Sequence, residues 1–257
     1  MRRMIAIVTG GASGIGAAVT REIAKDGGAV GIFDLDAPAA ESLAEELGDN
    51  VIAVRGSVLN EAELESARSA TQEKFGPINA LVCCAGIPQV PTRIEDFAVA
   101  TFTKIMESHL TGTFAACRVV GTDMAKPGRG GAIVNLASVV GFDPGPTLAY
   151  GPAKAGIINL TKILAVQWAK SGVRVNAVAP GWTDTPFLKP PERGGRRDFA
   201  PIQAAVPMGR VLTPEEIAAP IMFLLSPGAS AITGATLPCD GGFLAGAGWS
   251  AFGGFSI

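Results

Sequence analysis

The stretch Ile5-Ala6-Ile7-Val8-Thr9-Gly10-Gly11-Ala12-Ser13-Gly14-Ile15-Gly16 decides how this chain is read. Ile5–Val8 is apolar without alternation and mostly β-branched, as a parallel strand buried on both faces requires. The glycines that follow make a turn that side chains would obstruct, and Gly14–Lys25 continues with helical spacing. A strand that turns through glycine into a helix lets backbone N–H groups approach a pyrophosphate at the helix N-terminus. The spacing is T-G-x-x-x-G-x-G rather than G-x-G-x-x-G, so the turn needs support from its surroundings.

That support comes from the second apolar run, Ala29–Phe33, which ends at Asp34. A carboxylate at this strand end can accept both ribose hydroxyls of an adenosine and repels a 2′-phosphate. Neither Ser13 nor Leu35 offers a cation to receive such a phosphate, so NAD is expected over NADP.

The same pattern repeats outward. Further strands are expected at Val51–Val54, Ala80–Cys84, Ala132–Leu136, Val173–Val178 and Ala235–Cys239. Between them, Ala37–Leu47, Glu61–Phe75, Phe97–Met124, Ala149–Lys170 and Pro214–Leu225 show helical spacing. Repeated β-α-β units with right-handed crossovers predict an α/β fold, a doubly wound parallel sheet of Rossmann type with helices on both faces. No linker or repeat divides the chain, so one domain over residues 1–257 is expected.

Composition agrees. Charged residues are 17% and apolar residues 48% of the chain, which excludes disorder. The formal net charge of −2 leaves no basic field for nucleic acid or an anionic membrane. The apolar run after Met1 is short of a signal peptide, and no stretch reaches the length of a membrane span. The four cysteines, Cys83, Cys84, Cys117 and Cys239, form no C-x-x-C pair. No metal site or disulfide framework is expected, and a cytoplasmic location fits.

A second cluster carries chemistry. Ser138 follows the strand at Ala132–Leu136, and Tyr150 and Lys154 stand four residues apart on the next helix, on one face. A nearby ammonium is expected to lower the phenol pKa and so make Tyr150 a general base or acid. Ser138 can donate a hydrogen bond to a substrate oxygen.

With these residues in order, the chain resembles the short-chain dehydrogenase/reductase family over Ile5 to Gly242. Thr9-Gly10-x-x-x-Gly14-x-Gly16 is similar to its cofactor turn, around Ser13 and Ile15. Ser138, Tyr150 and Lys154 resemble its catalytic serine, tyrosine and lysine. Pro180-Gly181-Trp182-Thr183-Asp184-Thr185 looks like its P-G-x-x-x-T segment, and Asp240-Gly241-Gly242 like its closing D-G-G. The resemblance implies hydride transfer between a secondary alcohol and NAD, with Lys154 also holding the nicotinamide ribose. It implies a homotetramer as well. Pro180, Gly181, Thr183 and Thr185 are then expected at the nicotinamide.

Three positions depart from the family pattern. Its N-N-A-G reads Cys83-Cys84-Ala85-Gly86, where the backbone of Cys84, Ala85 and Gly86 can still meet the adenosine ribose. An expected Asp is replaced in Arg55-Gly56-Ser57-Val58, where Ser57 and Val58 are left to meet the adenine. The catalytic asparagine aligns with His109, the only histidine. Either its backbone carbonyl serves while the ring packs, or the imidazole joins a proton relay and titrates near neutrality.

Specificity is expected in the loop at about 186–212. Its Arg193, Arg196 and Arg197 are candidates to clamp an anionic substrate. The tail 243–257 carries no charged side chain, and its aromatics are expected against a partner subunit. Two alternatives share these features. One is an NADPH-dependent ketone reductase of 3-oxoacyl type, which Asp34 opposes; the other is a catalytically idle NAD-binding protein.

Overall fold

The computed structural model describes residues 3–188 and 198–249. Seven strands form one sheet in which every pairing is parallel: β1 Ile5–Thr9, β2 Ala29–Asp34, β3 Val51–Arg55, β4 Ala80–Cys83, β5 Gly131–Leu136, β6 Val173–Pro180 and β7 Thr236–Cys239. Their order is β3-β2-β1-β4-β5-β6-β7. The chain therefore winds one way from β1 to β3, then returns past β1 and winds the other way. Ligands bind such sheets at the strand C-termini beside that reversal, here between β1 and β4.

The helices are α1 Gly14–Lys25, α2 Ala37–Leu47, α3 Glu61–Phe75, α4 over residues 99–124, α5 Tyr150–Trp168, α6 Ala200–Ala205, α7 Pro214–Leu225 and the short α8 Phe243–Gly246. Alternate residues of each strand serve opposite layers. Ala6 and Val8 pack with Val19 and Ile23 of α1, Leu43 of α2 and Ile221 of α7. Ile5 and Ile7 pack with Leu64 of α3, Val120 of α4 and Leu164 of α5. Both faces are covered, which is why the strand sequences are apolar throughout.

The expected elements appear with small shifts, and α4 differs most from its sequence reading. It begins at Val99 because Ala98 is extended (φ −64°, ψ 140°), and Ile94–Asp96 forms a separate 3₁₀ turn. It also widens into π turns at Glu107–Thr111 and Cys117–Gly121. The first of these carries His109. Hydrophobic spacing does not register such local widening, which often marks functional positions.

Polar side chains pin the C-terminal half of the sheet. Asn176 of β6 donates to Ile232 O (2.8 Å) and accepts from Ala235 N (3.0 Å), which sets β7 in register. No helix among the described residues is long and apolar enough to cross a membrane.

Candidate active site

A cleft of about 1080 Å³ runs along the C-terminal strand edge, from the glycine turn at one end to the loops around Tyr150 at the other. Gly10 adopts φ +65°, and a Cβ there would stand 2.7 Å from Ala85 N, so the turn can lie against the end of β4 only with glycine. Ser13 starts α1 without a side-chain cap, and the first helical bond is Ala17 N to Ser13 O (3.1 Å). The N–H groups of Gly14, Ile15 and Gly16 therefore remain outside the helical ladder at the positive end of the helix, as an anion site requires.

Asp34 closes this end. One carboxylate oxygen accepts from Ala12 N (3.0 Å) and the other from Asp36 N (3.1 Å), so the side chain is fixed against the glycine turn with lone pairs to spare. Gly56, Val58, Cys84, Ala85 and Gly86 border the same space. Ser57 does not border it. Its N–H goes to Glu63 (2.7 Å) and its hydroxyl accepts from Leu59 N (3.2 Å), so the chain turns Ser57 inward and leaves Val58 to face the cleft.

At the other end, Ser138, Tyr150, Lys154 and His109 come together. Tyr150 opens α5, and Ser138 borders the cleft beside it. Lys154 Nζ lies 5.4 Å from the Tyr150 ring centre and donates to Leu136 O (2.6 Å). The expected lowering of the phenol pKa is not what the structure gives. Burial pushes Tyr150 up to about 12, against a smaller opposing effect of the Ser138 hydrogen bond. Burial also pulls Lys154 down to about 8, although nearby Cys84 and Cys83 oppose that shift. Both groups pay for a low-dielectric site, and the ammonium is aimed at a carbonyl instead of the phenol oxygen.

His109 is 2% exposed, and burial, with the charge of Lys154, drives its pKa down to about 3. The ring is neutral at ordinary pH, which overturns titration near neutrality. Nε2 therefore carries the hydrogen and donates to Ile87 O (2.9 Å), while Nδ1 is buried with no hydrogen-bond partner. The ring meets Tyr150 edge to face at 5.0 Å. A Cβ on Gly86 would collide with it, so Gly86 and His109 form a matched pair that holds the loop after β4.

Pro180, Gly181, Thr183 and Thr185 border the middle of the cleft. Leu212 holds this segment by a bond to Asp184 N (2.8 Å) and another to Trp182 O (2.9 Å). Arg193, Arg196 and Arg197 lie outside the described residues. The tail begins differently from expectation: Asp240 caps α8 through Gly242 N and Leu244 N (both 2.9 Å), and Phe243, Gly246 and Ala247 line the cleft instead of an outer face. Residues 250–257 lie outside the described part. Trp249 is 47% exposed.

Two contributors escaped the sequence reading. Gln89 Oε1 accepts from Ala149 N (3.0 Å) and Tyr150 N (2.8 Å), so it caps the helix that carries Tyr150, whose N-terminus has no local side-chain cap. No local signal announces a cap sixty residues upstream. Phe187 covers Tyr150 at 5.7 Å between ring centres. Its loop was read for charge, and the Pro186-Phe187-Leu188 triplet was the missed signal.

Known proteins resemble this chain over nearly its whole length. A family model described as enoyl-(acyl carrier protein) reductase matches residues 10–244. The chain is 39% identical over 245 residues to cis-4-hydroxycyclohexanecarboxylate dehydrogenase of Sinomonas cyclohexanicum, covering 94% of this chain and 96% of that protein. It is 38% identical to an uncharacterized short-chain type dehydrogenase/reductase of Sinorhizobium fredii over 93% of its own length, and spans 43% of that longer protein. Among solved structures, one titled ribose-5-phosphate isomerase from Brucella melitensis superposes with a TM-score of 0.94 at 37% identity, covering 100% of this chain and 98% of that one. A 3-ketoacyl-(acyl-carrier-protein) reductase of the same organism, complexed with NADH, gives 0.85 at 34% identity, covering 93% and 98%.

Proposed function

The chain belongs to the short-chain dehydrogenase/reductase family, and from that premise we propose that it is an NAD-dependent oxidoreductase interconverting a secondary alcohol and a ketone. The observation that carries this reading is the gathering of Ser138, Tyr150 and Lys154 in one cleft continuous with the glycine turn and Asp34.

The residues fit a dinucleotide. The free N–H groups of Gly14, Ile15 and Gly16 would hold the pyrophosphate, Asp34 the adenosine ribose, and Pro180, Gly181, Thr183 and Thr185 the nicotinamide end. When bound, the oxidised nicotinamide supplies the hydride acceptor. Ser138 orients the carbinol oxygen, and Tyr150 takes its proton as the alcohol becomes a ketone. In the reverse direction Tyr150 returns that proton. A phenol near 12 keeps its proton at neutral pH, which suits it as the acid for ketone reduction. Lys154 would hold the nicotinamide ribose. His109 acts through its backbone position and its grip on Ile87 O, with a neutral ring.

Asp34 supports NAD over NADP and disfavours the 3-oxoacyl reductase alternative that uses NADPH. The assembled Ser138, Tyr150 and Lys154 disfavour an idle cofactor-binding role. A sugar-phosphate isomerase would need cations for the phosphate; among the described residues that border the cleft, Lys154 is the only Lys or Arg, and one of its N–H groups is already bound to Leu136 O. An arginine clamp at residues 193–197 for an anionic alcohol remains part of the proposal. So does a cytoplasmic homotetramer, supported by exposed apolar residues such as Val99 on α4 and Val166 on α5.

The deciding experiment is a panel of secondary alcohols and ketones assayed with NAD and NADP at equal concentration. Turnover that prefers NAD is expected. Preference for NADP would remove the cofactor assignment, and no turnover with either would favour the idle protein.

A further inference from the structure

We infer that the alcohol end of the cleft accepts a secondary alcohol whose carbinol carbon is flanked by hydrocarbon, alicyclic or branched, and rejects open-chain polyols. This rests on the dehydrogenase reading above. The walls around Tyr150 come from two loops and the tail: Val139 and Val140 after β5, Trp182, Phe187 and Leu188 after β6, and Phe243 from α8. Phe187 lies directly over the Tyr150 ring.

Polar side chains also border this end, but their polar atoms are committed or sealed. Gln89 Oε1 is taken by two helix N–H groups, and Gln89 Nε2 is shut off from solvent. Thr147 Oγ1 and His109 Nδ1 are shut off in the same way. His109 Nε2 is spent on Ile87 O and Lys154 on Leu136 O. What stays open to one carbinol oxygen is the Ser138 and Tyr150 hydroxyl pair, with the exposed Asp143 carboxylate as a further polar group. Among the described residues these walls are mostly hydrocarbon, so a polyol would bring several further hydroxyls to few partners, Asp143 and Ser108 among them, and each hydroxyl left unpaired would lose its water. A hydrocarbon substituent meets those walls at no such cost.

The test compares kcat/KM for cyclohexanol, threitol and galactitol at saturating NAD, in the wild type and in Val140→Thr and Phe187→Asn. Cyclohexanol is expected to exceed both polyols by about 100-fold, the discrimination one misplaced hydroxyl commands in an apolar pocket. Each variant is expected to narrow that ratio by about tenfold while KM for NAD stays within about threefold. Val140→Thr conserves volume, so it answers even where Phe187→Asn fails to fold. Polyol turnover that equals or exceeds cyclohexanol, or a ratio indifferent to Val140→Thr, overturns the inference and leaves the dehydrogenase reading standing. Turnover of none of the three, with no reduction of the matching ketones, overturns both.

Discussion

The cofactor end of the cleft presents mainly backbone, whereas the alcohol end presents mainly side chains. At the first, Gly10, Gly14 and Gly16 clear space for N–H groups at the start of α1, and one carboxylate, Asp34, is fixed against the turn as the proposed discriminator between NAD and NADP. At the second, segments from three places in the chain contribute Val140, Phe187 and Phe243 around a hydroxyl pair. A backbone site tolerates little variation because the ligand replaces hydrogen bonds at fixed positions. A side-chain site can be repacked, so specificity can change there while cofactor chemistry stays the same.

Breaking the shared chemistry should have the largest effect. Tyr150→Phe removes the proton carrier and is expected to lower kcat by about 10²–10⁴-fold. NAD affinity, measured by titration calorimetry, should survive; loss of both together would mean that Tyr150 mainly supports the cofactor end.

Proton availability comes next. With Tyr150 near 12, kcat/KM for alcohol oxidation should climb toward tenfold per pH unit between about pH 7 and 9. Ketone reduction should instead stay nearly flat over that range, because the phenol keeps its proton. An oxidation rate that is flat with pH would contradict a buried phenol as the base.

On the cofactor side, Asp34→Arg replaces repulsion of a 2′-phosphate by attraction. It should move the NADP to NAD ratio of kcat/KM by about 10–100-fold, the worth of a charge-assisted hydrogen bond. An unmoved ratio would take Asp34 out of the ribose site.

At the junction of the two ends, Gln89→Leu strips the N-terminus of α5 of its acceptor. It should cost about 1 kcal/mol of stability by denaturant titration and about tenfold in kcat. Gln89→Glu restores an acceptor oxygen and should recover most of both. The smallest effect belongs to His109→Asn. A neutral ring leaves the pH midpoint of kcat within about half a unit of its original position. A larger shift would put the imidazole back into the proton relay.

How much of this was legible in the sequence follows the same division. The glycine turn, Asp34, and the order of Ser138, Tyr150 and Lys154 could be read directly because each answers a local demand: a positive φ, a strand end, or one turn of helix. The parallel sheet followed from strands without polar alternation. Ser57 lies off the cleft border because its N–H is held by Glu63 and its hydroxyl by Leu59 N, contacts that residue spacing does not announce. Gln89 was invisible for the same reason, since its partners lie on another element.

The amino-acid sequence by itself determined the doubly wound sheet, the glycine turn and the Ser138, Tyr150 and Lys154 set proposed for proton transfer, because backbone geometry and helical period act over a few neighbouring residues. Only the tertiary structure decided the charge states. Tyr150 rises because burial, built from loops far apart in the chain, outweighs the Ser138 hydrogen bond, and His109 falls because burial and the Lys154 charge together outweigh its bond to Ile87 O. It likewise decided that the tail turns Phe243 into the cleft, where Asp240 caps the last short helix and aims it at the alcohol end.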